Sequence, residues 1–428
     1  MHLKYQNLLK SLGPGILFAS TAIGVSHLVQ STRAGASFGF ALLWAVLLAN
    51  LFKYPFFEYG SRYANITGES IIHGYKRLSK WMLWFYFLIT LGSMFFVTSA
   101  VGFVTAGFLQ NLFGISTTGH GALFCTMGLF IVCISILSLG KYNALDSLIK
   151  IVGAVLLITT LIAFGLTLAH GPIPQTSGFI PPEIWDNSGF LFLIALMGWM
   201  PTALDLSAWN SLWTIERIKQ TGYRPKLKET LFDFNFGYIV SALLAICFIT
   251  LGAYLLYGTG KEMPNGSGAF ANEVINLYTE TIGGWSYIII AAAAFSIMFG
   301  TSIAVFDGYA RSVKSCIELL FYKEEEQEKW QNKRRYFIIS LLILSLGSFM
   351  IIYYFHDQPK GFKSLVDLAT TISFLIAPII AIVNFKLVMS KRLMKTGHPP
   401  LWLQVLSYAG ILFLSGFTLF FIYIKIMS

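Results

Sequence analysis

Two stretches of this sequence decide how it folds: GPGILFASTAIGVSHLVQSTRAGA, residues 13–36, and LFLIALMGWMPTALDLSAWNSLW, residues 191–213. Each is long and apolar, yet each carries glycine, proline or polar residues near its middle. A proline removes a backbone donor and clashes with the carbonyl four residues before it, so Pro201 frees carbonyl oxygens that can hold a cation. Non-helical backbone inside a membrane survives only where it is buried in protein or lines a wet cavity. Both stretches therefore predict broken membrane helices that flank a binding site.

The composition around these stretches is that of a membrane protein. The 428 residues are 56% hydrophobic and 12% charged, whereas soluble domains are about 25% charged. This balance excludes a soluble enzyme, a nucleic-acid-binding protein and a disordered chain. Continuous apolar runs of about twenty residues also exclude a porin-type barrel, whose strands alternate apolar and polar positions. We expect an all-α polytopic protein embedded in the lipid bilayer.

The apolar runs predict about eleven transmembrane helices, numbered spans 1 to 11 in chain order. Their predicted limits are 14–34, 38–60, 82–110, 119–140, 147–169, 188–213, 235–257, 285–312, 336–355, 365–390 and 402–424. The broken stretches are spans 1 and 6, a separation expected where two five-helix repeats of opposite orientation meet at a shared site. We therefore expect a single transmembrane transporter domain over residues 1–428, with repeats over about 14–169 and 188–390 and an extra helix over about 402–424.

The basic residues predict the orientation of the chain. With the N-terminus in the cytoplasm, 24 of the 30 Lys and Arg residues fall on the inner side, five fall outside and Lys53 lies within span 2. This asymmetry follows the positive-inside rule and places the C-terminus on the extracytoplasmic side. The formal charge of +10 is thus interpreted as an orientation signal, and no nucleic-acid partner is expected. A multi-pass protein of the bacterial inner (plasma) membrane is the simplest expectation.

Short motifs in this sequence resemble those of the Nramp family of divalent-metal transporters, and their order covers most of the chain. They are GPG (13–15), AGA (34–36), TGES (67–70), LFGIS (112–116), KYNALDSLIKIVGAVLLI (141–158), Met200-Pro201 and TISFLIAPII (371–380). The resemblance implies a LeuT-like fold with inverted five-helix repeats and discontinuous helices 1 and 6. It also implies secondary transport by alternating access.

The metal site of that family is altered in this chain. When GPG and AGA are aligned without a gap, the family's Asp-Pro-Gly-Asn falls on Gly-Val-Ser-His, so that its metal-binding Asp is Gly24 and its Asn ligand is His27. Met200 is retained, the following His becomes Thr202, and the Gln of the tenth helix falls on Thr371. Span 3 contains none of the acidic residues that the family's proton path uses. The resemblance thus implies a remodelled site without strict proton coupling.

The expected substrate-binding residues come from spans 1, 6 and 10. They are Gly24, Ser26, His27, Met200, Thr202, Asp205 and Thr371. His27 and the thioether of Met200 form a soft, neutral pair that suits Mn²⁺, Fe²⁺, Zn²⁺ or a copper ion, and they are the expected metal ligands. Asp205 adds negative charge only if the unwound segment turns it toward the cavity. No cofactor is expected.

A divalent metal ion is the first substrate expected of this transporter. An alternative on the same scaffold is a carrier of a small organic anion or zwitterion, because exposed half-helix amides, a protonatable His27 and Arg33 at the outer mouth favour a carboxylate. A non-transporting membrane receptor or scaffold is a third hypothesis. An enzyme is not expected, since no nucleophile with its base and no complete set of metal ligands lies within reach.

Two pairs of oppositely charged residues lie at the inner ends of predicted spans. Glu58 and Arg62 in span 2, and Asp307 and Arg311 in span 8, are each four residues apart. Residues at this spacing are neighbours on one face of a helix. Both pairs are therefore interpreted as structural ion pairs, and Asp367 is assigned no function.

Overall fold

The computed structural model describes residues 12–115, 120–139, 142–261, 263–264, 266–322, 334–356, 358, 360–393 and 397–427. Within those ranges the chain forms α-helices, one π-helical segment and short 3-10 turns. Helices suit this sequence because each satisfies its backbone hydrogen bonds internally, as a membrane requires. The all-α fold class is confirmed.

All eleven predicted spans coincide with helices. The unbroken ones are span 2, Leu43–Thr67; span 3, Lys80–Phe113; span 4, Gly121–Leu139; span 5, Tyr142–His170; span 7, Leu227–Leu255; span 8, Tyr287–Phe321; span 9, Arg334–His356; span 10, Gly361–Val388; and span 11, Leu401–Met427. Span 1 consists of Pro14–Ala22, a π-helix over Ser26–Ser31, and Thr32–Phe38. Span 6 consists of Asn187–Gly198, a 3-10 turn over Leu204–Leu206, and Ser207–Thr221. Both predicted interruptions are therefore present.

Seven of the described helices, those of spans 3, 4 and 7 to 11, are long and apolar enough to cross a membrane by length and composition. Spans 1 and 6 fall short because each is divided. Span 2 is less hydrophobic because it carries Lys53, Glu58 and Arg62, all of them buried. Spans 1, 2 and 6 therefore depend on burial against neighbouring helices.

Among the described residues, two α-helices outside the spans were not predicted. Ile71–Leu78 connects spans 2 and 3, and Ser267–Ile282 precedes span 8. The first is amphipathic, with Ile71, Ile72 and Tyr75 fully buried. Helices of 8 and 16 residues are shorter than the roughly twenty residues needed to cross a bilayer, so a search for long apolar runs does not detect them.

The contacts between spans follow the exchange that an inverted repeat requires. Span 1 packs against span 7. If spans 1–5 are exchanged with spans 6–10, the equivalent contact is that of span 6 with span 2, and this contact is also present. Spans 1 and 5 are in contact, as are spans 6 and 10, and the contact of span 3 with span 10 is matched by that of span 8 with span 5. This pattern supports the LeuT-like arrangement in which spans 1 and 6 face each other at the centre.

Spans 1 and 7 approach each other so closely that their backbones touch. Cβ atoms added at Gly15 and Gly35 would overlap the backbone of span 7, and Cβ atoms added at Gly237 and Gly252 would overlap the backbone of span 1. Small residues allow membrane helices to pack in this way, where van der Waals contact replaces the hydrophobic driving force. Span 7 is therefore the support on which the broken span 1 is held.

The start of span 1 is anchored by Asp233, near the start of span 7. Its carboxylate accepts hydrogen bonds from the backbone N–H groups of Gly13, at 3.1 Å, and Gly15, at 2.6 Å. Pro14 occupies the first helical position, where a missing N–H is no loss. The negative charge also stabilises the positive end of the helix. The Gly-Pro-Gly motif thus marks the place where span 1 docks on span 7.

Candidate transport site

Span 1 leaves regular α-helical geometry between its two halves. Its first half ends at Ala22, and a π-helix occupies Ser26–Ser31. Wide turns of this kind occur frequently at functional sites. In the gap, Gly24 lies against span 8, where a Cβ atom would come within 2.7 Å of Thr301 Cγ2 and 2.9 Å of its Oγ1. Glycine is therefore required for this close approach.

Span 6 is interrupted between Gly198 and Leu204. The Met200–Pro201 peptide bond in the interruption is cis. Gly198 packs against span 10, and a Cβ atom there would overlap the carbonyl oxygen of Thr370. Carbonyl groups at the end of a helix lack partners within the helix. The first half of span 6 thus presents carbonyl oxygens to the interior of the bundle.

A small cavity of about 20 Å³ lies between the two interruptions. Its hydroxyl-bearing lining consists of Thr21 and Ser26 from span 1, Thr202 from span 6 and Thr301 from span 8. The remaining wall is mainly apolar, with valines from spans 1, 3 and 8. A volume of this size holds about one water molecule. In this conformation the cavity therefore accommodates a particle the size of an ion and no larger solute.

The predicted substrate-binding residues have different positions relative to this cavity. Ser26 and Thr202 line it, and Gly24 packs behind the lining residue Thr301. Met200 is completely buried in the interruption of span 6. Thr371, half-buried on span 10, lies outside the described cavity lining. The structure thus brings residues of spans 1 and 6 together around one cavity and leaves the span 10 residue apart.

His27 is completely buried in the π-helix, directly after the lining residue Ser26. Its Nε2 lies 2.8 Å from the carbonyl oxygen of Ser241 in span 7. Because a carbonyl can only accept, Nε2 carries the proton and donates, which leaves Nδ1 of the neutral ring as the acceptor. Nδ1 lies 2.7 Å from Ser26 Oγ. His27 is thus held between a carbonyl of span 7 and the hydroxyl of Ser26, and it reaches the cavity only through Ser26.

Lys53, to which no sequence motif assigns a role, lies at the interruption of span 6. The side chain is 0% exposed, and its Nζ donates to the carbonyl oxygens of Met197 at 2.7 Å, Gly198 at 2.8 Å and Thr202 at 3.4 Å. The carbonyls that the interruption frees are therefore bound by a cation that belongs to the chain. The available signal was a charged residue in the middle of an apolar span, which by default marks a functional position.

Asp205 lies in the 3-10 turn that follows the interruption and is 4% exposed. Its Oδ2 accepts a long hydrogen bond, 3.5 Å, from Ser93 Oγ in span 3, and Tyr309 in span 8 donates to the same Ser93 at 3.3 Å. Its Oδ1 has no hydrogen-bond partner. The charges of Asp205 and Lys53 interact across the interruption. The centre of the bundle thus contains one basic and one acidic side chain, both buried.

The described residues include no group of three or more His, Cys, Asp or Glu side chains that could hold a metal ion. The polar side chains in the cavity lining are neutral and carry four hydroxyl groups, and Nδ1 of His27 lies 2.7 Å from Oγ of the lining residue Ser26. Hydroxyl oxygens suit hard cations, whereas imidazole suits transition metals.

An ion pair joins spans 1 and 10 near the end of span 1. Arg33 donates to both carboxylate oxygens of Asp367, at 2.8 and 3.1 Å, and to Gln30 Oε1 at 2.9 Å. Gln30 Nε2 donates to the same carboxylate at 3.1 Å. The guanidinium of Arg33 also lies 5.0 Å from the ring centroid of Phe192 in span 6. This cluster, named the Arg33 cluster, connects the three spans that carry the predicted site.

Both ion pairs predicted from i, i+4 spacing are present. In span 2, Arg62 Nε donates to the two carboxylate oxygens of Glu58 at 3.0 and 2.9 Å. In span 8, Arg311 Nε donates to those of Asp307 at 2.8 and 2.7 Å, and Trp213 Nε1 donates to Asp307 at 3.1 Å. Both predicted contacts are thus present.

A second, larger cleft of about 550 Å³ lies between the connecting helix Ile71–Leu78, the second half of span 6 and span 8. Its charged lining residues are Glu69, Glu216, Lys219, Arg311, Lys314 and Glu318. His73, on the connecting helix, also lines it, and burial lowers the pKa of this side chain to about 4. Its Nδ1 lies 2.9 Å from Ser70 Oγ. The cleft therefore contains charges of both signs beside a histidine held neutral near pH 7.

Inverted five-helix units, two broken helices and a cavity between their interruptions define a LeuT-like membrane transporter. The model of the family described as "Natural resistance-associated macrophage protein-like", or Nramp, matches residues 15–424. The chain belongs to this family of divalent-metal transporters. The resemblance carried by the short motifs is thereby confirmed.

Relatives and solved structures cover nearly the whole chain. An uncharacterized protein of Pasteurella multocida is 36% identical over 416 residues, which are 96% of this chain and 92% of that relative. A divalent metal cation transporter MntH of Listeria monocytogenes is 20% identical over 445 residues, covering 99% of this chain and 92% of the relative. The crystal structure of the Eremococcus coleocola manganese transporter bound to an aromatic bis-isothiourea compound matches with a TM-score of 0.68 and 14% identity, covering 98% of this chain and 87% of the other. The last match supports the fold alone.

Proposed function

We propose that this chain is a secondary transporter that moves a divalent metal ion by alternating access, through a site remodelled to neutral ligands. The observation that carries this proposal is the ion-sized, hydroxyl-lined cavity between the interruptions of spans 1 and 6. Membership of a family of divalent-metal transporters supports the same substrate class. In this proposal the metal binds where the two broken helices meet, and the bundle opens to either side around it.

The proposed ligands fall into two groups. Ser26 and Thr202 belong to the lining of the cavity and carry hydroxyl groups, and Nδ1 of His27 is adjacent to Ser26 Oγ. Met200 supplies its thioether when the interruption of span 6 rearranges, and Gly24, Asp205 and Thr371 complete the proposed site around these ligands. A site with neutral ligands and the buried ammonium of Lys53 nearby neutralises a dication poorly. We therefore expect weak metal binding.

The absence of strict proton coupling is part of this proposal. Several buried carboxylates among the described residues already have strong partners: Glu58 binds Arg62, Asp307 binds Arg311, and Asp233 accepts from two backbone N–H groups. Groups engaged in this way are poor carriers of a transported proton, because release and uptake would break these contacts. Asp205, with an unpartnered oxygen, is the carboxylate to examine first if coupling is observed.

The proposal includes the placement of the chain. We place the N-terminus in the cytoplasm and the C-terminus outside, in a bacterial plasma membrane, because the basic residues concentrate in loops that then face inward. The chain is treated as one transporter domain, with repeats over about 14–169 and 188–390 and an additional helix over about 402–424. Catalysis is not part of the proposed function.

A second candidate is a carrier of a small organic anion or zwitterion on the same scaffold. The specific observation that favours it is the buried ammonium of Lys53, which places a fixed positive charge at the interruption of span 6. The basic Lys53 and the acidic Asp205, which lie near the same interruption, match the opposite charges of a zwitterion. Such a solute requires the cavity to widen from its volume of about 20 Å³.

Ion flux into proteoliposomes tests the choice between these candidates. Vesicles loaded with a metal-sensitive dye are exposed to Mn²⁺ or Mg²⁺, and the wild-type chain is compared with His27→Ala and Ser26→Ala. We expect saturable uptake that both variants reduce about tenfold or more, without help from an imposed pH gradient. If folded, inserted wild-type protein takes up neither ion, metal transport is contradicted. Uptake or counterflow of small carboxylates and amino acids then becomes the deciding measurement.

A further inference from the structure

We propose that the ammonium of Lys53 is a tethered cation, which fills at the interruption of span 6 the place that a free cation would otherwise take. This inference concerns how the interruption is held together, and it stands whether the transported solute is a metal ion or an organic molecule. It identifies Lys53 as a positioning residue for the end of the first half of span 6 and for the interrupted segment that follows it.

The geometry around Nζ resembles the coordination of an ion. Three carbonyl oxygens, of Met197, Gly198 and Thr202, surround the ammonium at 2.7, 2.8 and 3.4 Å. An ammonium has three protons and no acceptor, so the number of carbonyls matches the number of donors. Carbonyl oxygens of irregular backbone also coordinate cations in transporters with broken helices. The ammonium of Lys53 thus binds the carbonyl oxygens that a free cation would bind at this position.

The electrostatic setting also favours a cation at this point. Met197 and Gly198 lie in the last turn of the first half of span 6, at the negative end of a helix dipole. Asp205, beyond the interruption, contributes a negative charge that interacts with Lys53. Lys53 is completely buried, and its hydrogen bonds go to backbone carbonyls at the end of the first half of span 6 and, at Thr202, within the interruption. A buried charge persists only with such compensation.

The tether has a consequence for where a solute binds. The carbonyls of Met197 and Gly198 are occupied, so a transported cation is directed to the hydroxyl-lined cavity formed by Ser26, Thr202 and their neighbours. The interruption also keeps its shape between turnovers, since its cation cannot dissociate. We therefore expect the folded wild-type protein to be indifferent to monovalent cations.

Thermal unfolding of the purified full-length protein in detergent tests this inference without any transport measurement. Wild type, Lys53→Ala and Lys53→Met are compared in choline chloride and during titration with ammonium, Na⁺ or K⁺ at constant ionic strength. Lys53→Ala vacates the site, whereas Lys53→Met removes the charge and keeps most of the volume.

We expect no specific ion response from wild type, a Tm lower by about 5 °C or more in both variants, and saturable recovery by a small cation in Lys53→Ala but not in Lys53→Met. Equal ion responses in wild type and Lys53→Ala would overturn the inference.

Lys53→Gln provides a second test if the alanine variant does not fold, because the amide can donate to carbonyls without a charge. A Lys53→Gln protein as stable as wild type shows that no cation is needed and also overturns the inference. Because neither readout involves flux, failure of the proposed transport function leaves this result unaffected.

Discussion

The guanidinium of Arg33 and the carboxylate of Asp367 form a two-point ion pair between spans 1 and 10, with N–O distances of 2.8 and 3.1 Å. Their side chains are 12% and 36% exposed, so water screens the pair and its contribution to stability is about 1 kcal/mol or less. The ion pair matters more for the relative movement of spans 1 and 10 than for the stability of the fold. The second half of span 1 and span 10 cannot separate at this end without breaking it.

Neutralising the pair should loosen this end of the bundle with little loss of stability. We expect Asp367→Asn to change the Tm by no more than about 3 °C. The same change should increase several-fold the rate at which a water-soluble maleimide labels a cysteine introduced as Ser26→Cys. Arg33→Lys, which keeps the charge but loses the two-point geometry, should give an intermediate rate. Identical labelling rates in all three backgrounds would show that the Arg33 cluster does not control access.

Removal of one cavity hydroxyl should impair transport selectively. Thr202→Val keeps the shape of the side chain, and we expect Mn²⁺ uptake to fall about tenfold, since one lost ligand interaction is worth roughly 1.4 kcal/mol. The matched control is Thr98→Val in span 3, where a buried hydroxyl without a hydrogen-bond partner is replaced outside the cavity lining. Equal effects of the two substitutions on uptake would remove Thr202 from the site.

The close contact with Thr301 should exclude any side chain larger than that of glycine at position 24. Gly24→Ala places a methyl group within 3 Å of two Thr301 atoms, and overpacking of this kind destabilises by about 1 to 3 kcal/mol. We expect a lower Tm and slower uptake. Thr301→Ala removes both atoms, so the double variant should regain part of the lost Tm. A double variant whose losses are simply the sum of the single losses would argue against direct contact in solution.

His73 should make stability depend on pH. Burial lowers its pKa from 6.5 in the unfolded chain to about 4, against the opposing charge of Glu69 and with help from Arg77, Lys76 and Lys219. Between these values the unfolded state binds the proton and the folded state does not. The free energy of unfolding should therefore fall as pH drops from about 6.5 to 4, by at most about 1.4 kcal/mol per pH unit.

Thermal melts from pH 7.5 to 4.5 measure this dependence. His73→Gln, which keeps a polar side chain of similar reach, should flatten the profile in this interval. A variant profile as steep as that of wild type would assign the acid sensitivity to other groups.

The architecture could be predicted because its determinants are local. Two apolar runs that would otherwise form continuous helices are interrupted, one by Gly24 and the polar residues around it and the other by Pro201. The pairs Glu58–Arg62 and Asp307–Arg311 could be predicted for the same reason, since helical spacing alone brings them together. The short helices Ile71–Leu78 and Ser267–Ile282 were missed because their length is below that of a span.

The centre of the site could not be predicted because its determinants are distant in sequence. Lys53 meets Met197 across 144 positions, and Asp233 meets Gly13 across 220. Neither contact leaves a periodic or spaced motif. His27 could be placed in span 1, but its bond to Ser241 depends on how closely spans 1 and 7 pack. A pattern of side chains also carries no information on individual backbone carbonyl groups. The sequence therefore predicted that a cation binds the carbonyl oxygens freed in span 6, but not that this cation is Lys53.

Because Lys53 is covalently attached to span 2, its charge enters the electrical work of transport differently from the charge of a bound ion. A charge fixed to span 2 returns with the protein after each cycle, so it contributes nothing to the net electrical work of transport. If the solute is a dication, each turnover transfers two positive charges, and a potential of 100 mV supplies about 4.6 kcal/mol. In the proposed transport without a coupled ion, current and flux recorded together keep a fixed two-to-one ratio whatever the sodium gradient, and the membrane potential sets the limit of accumulation.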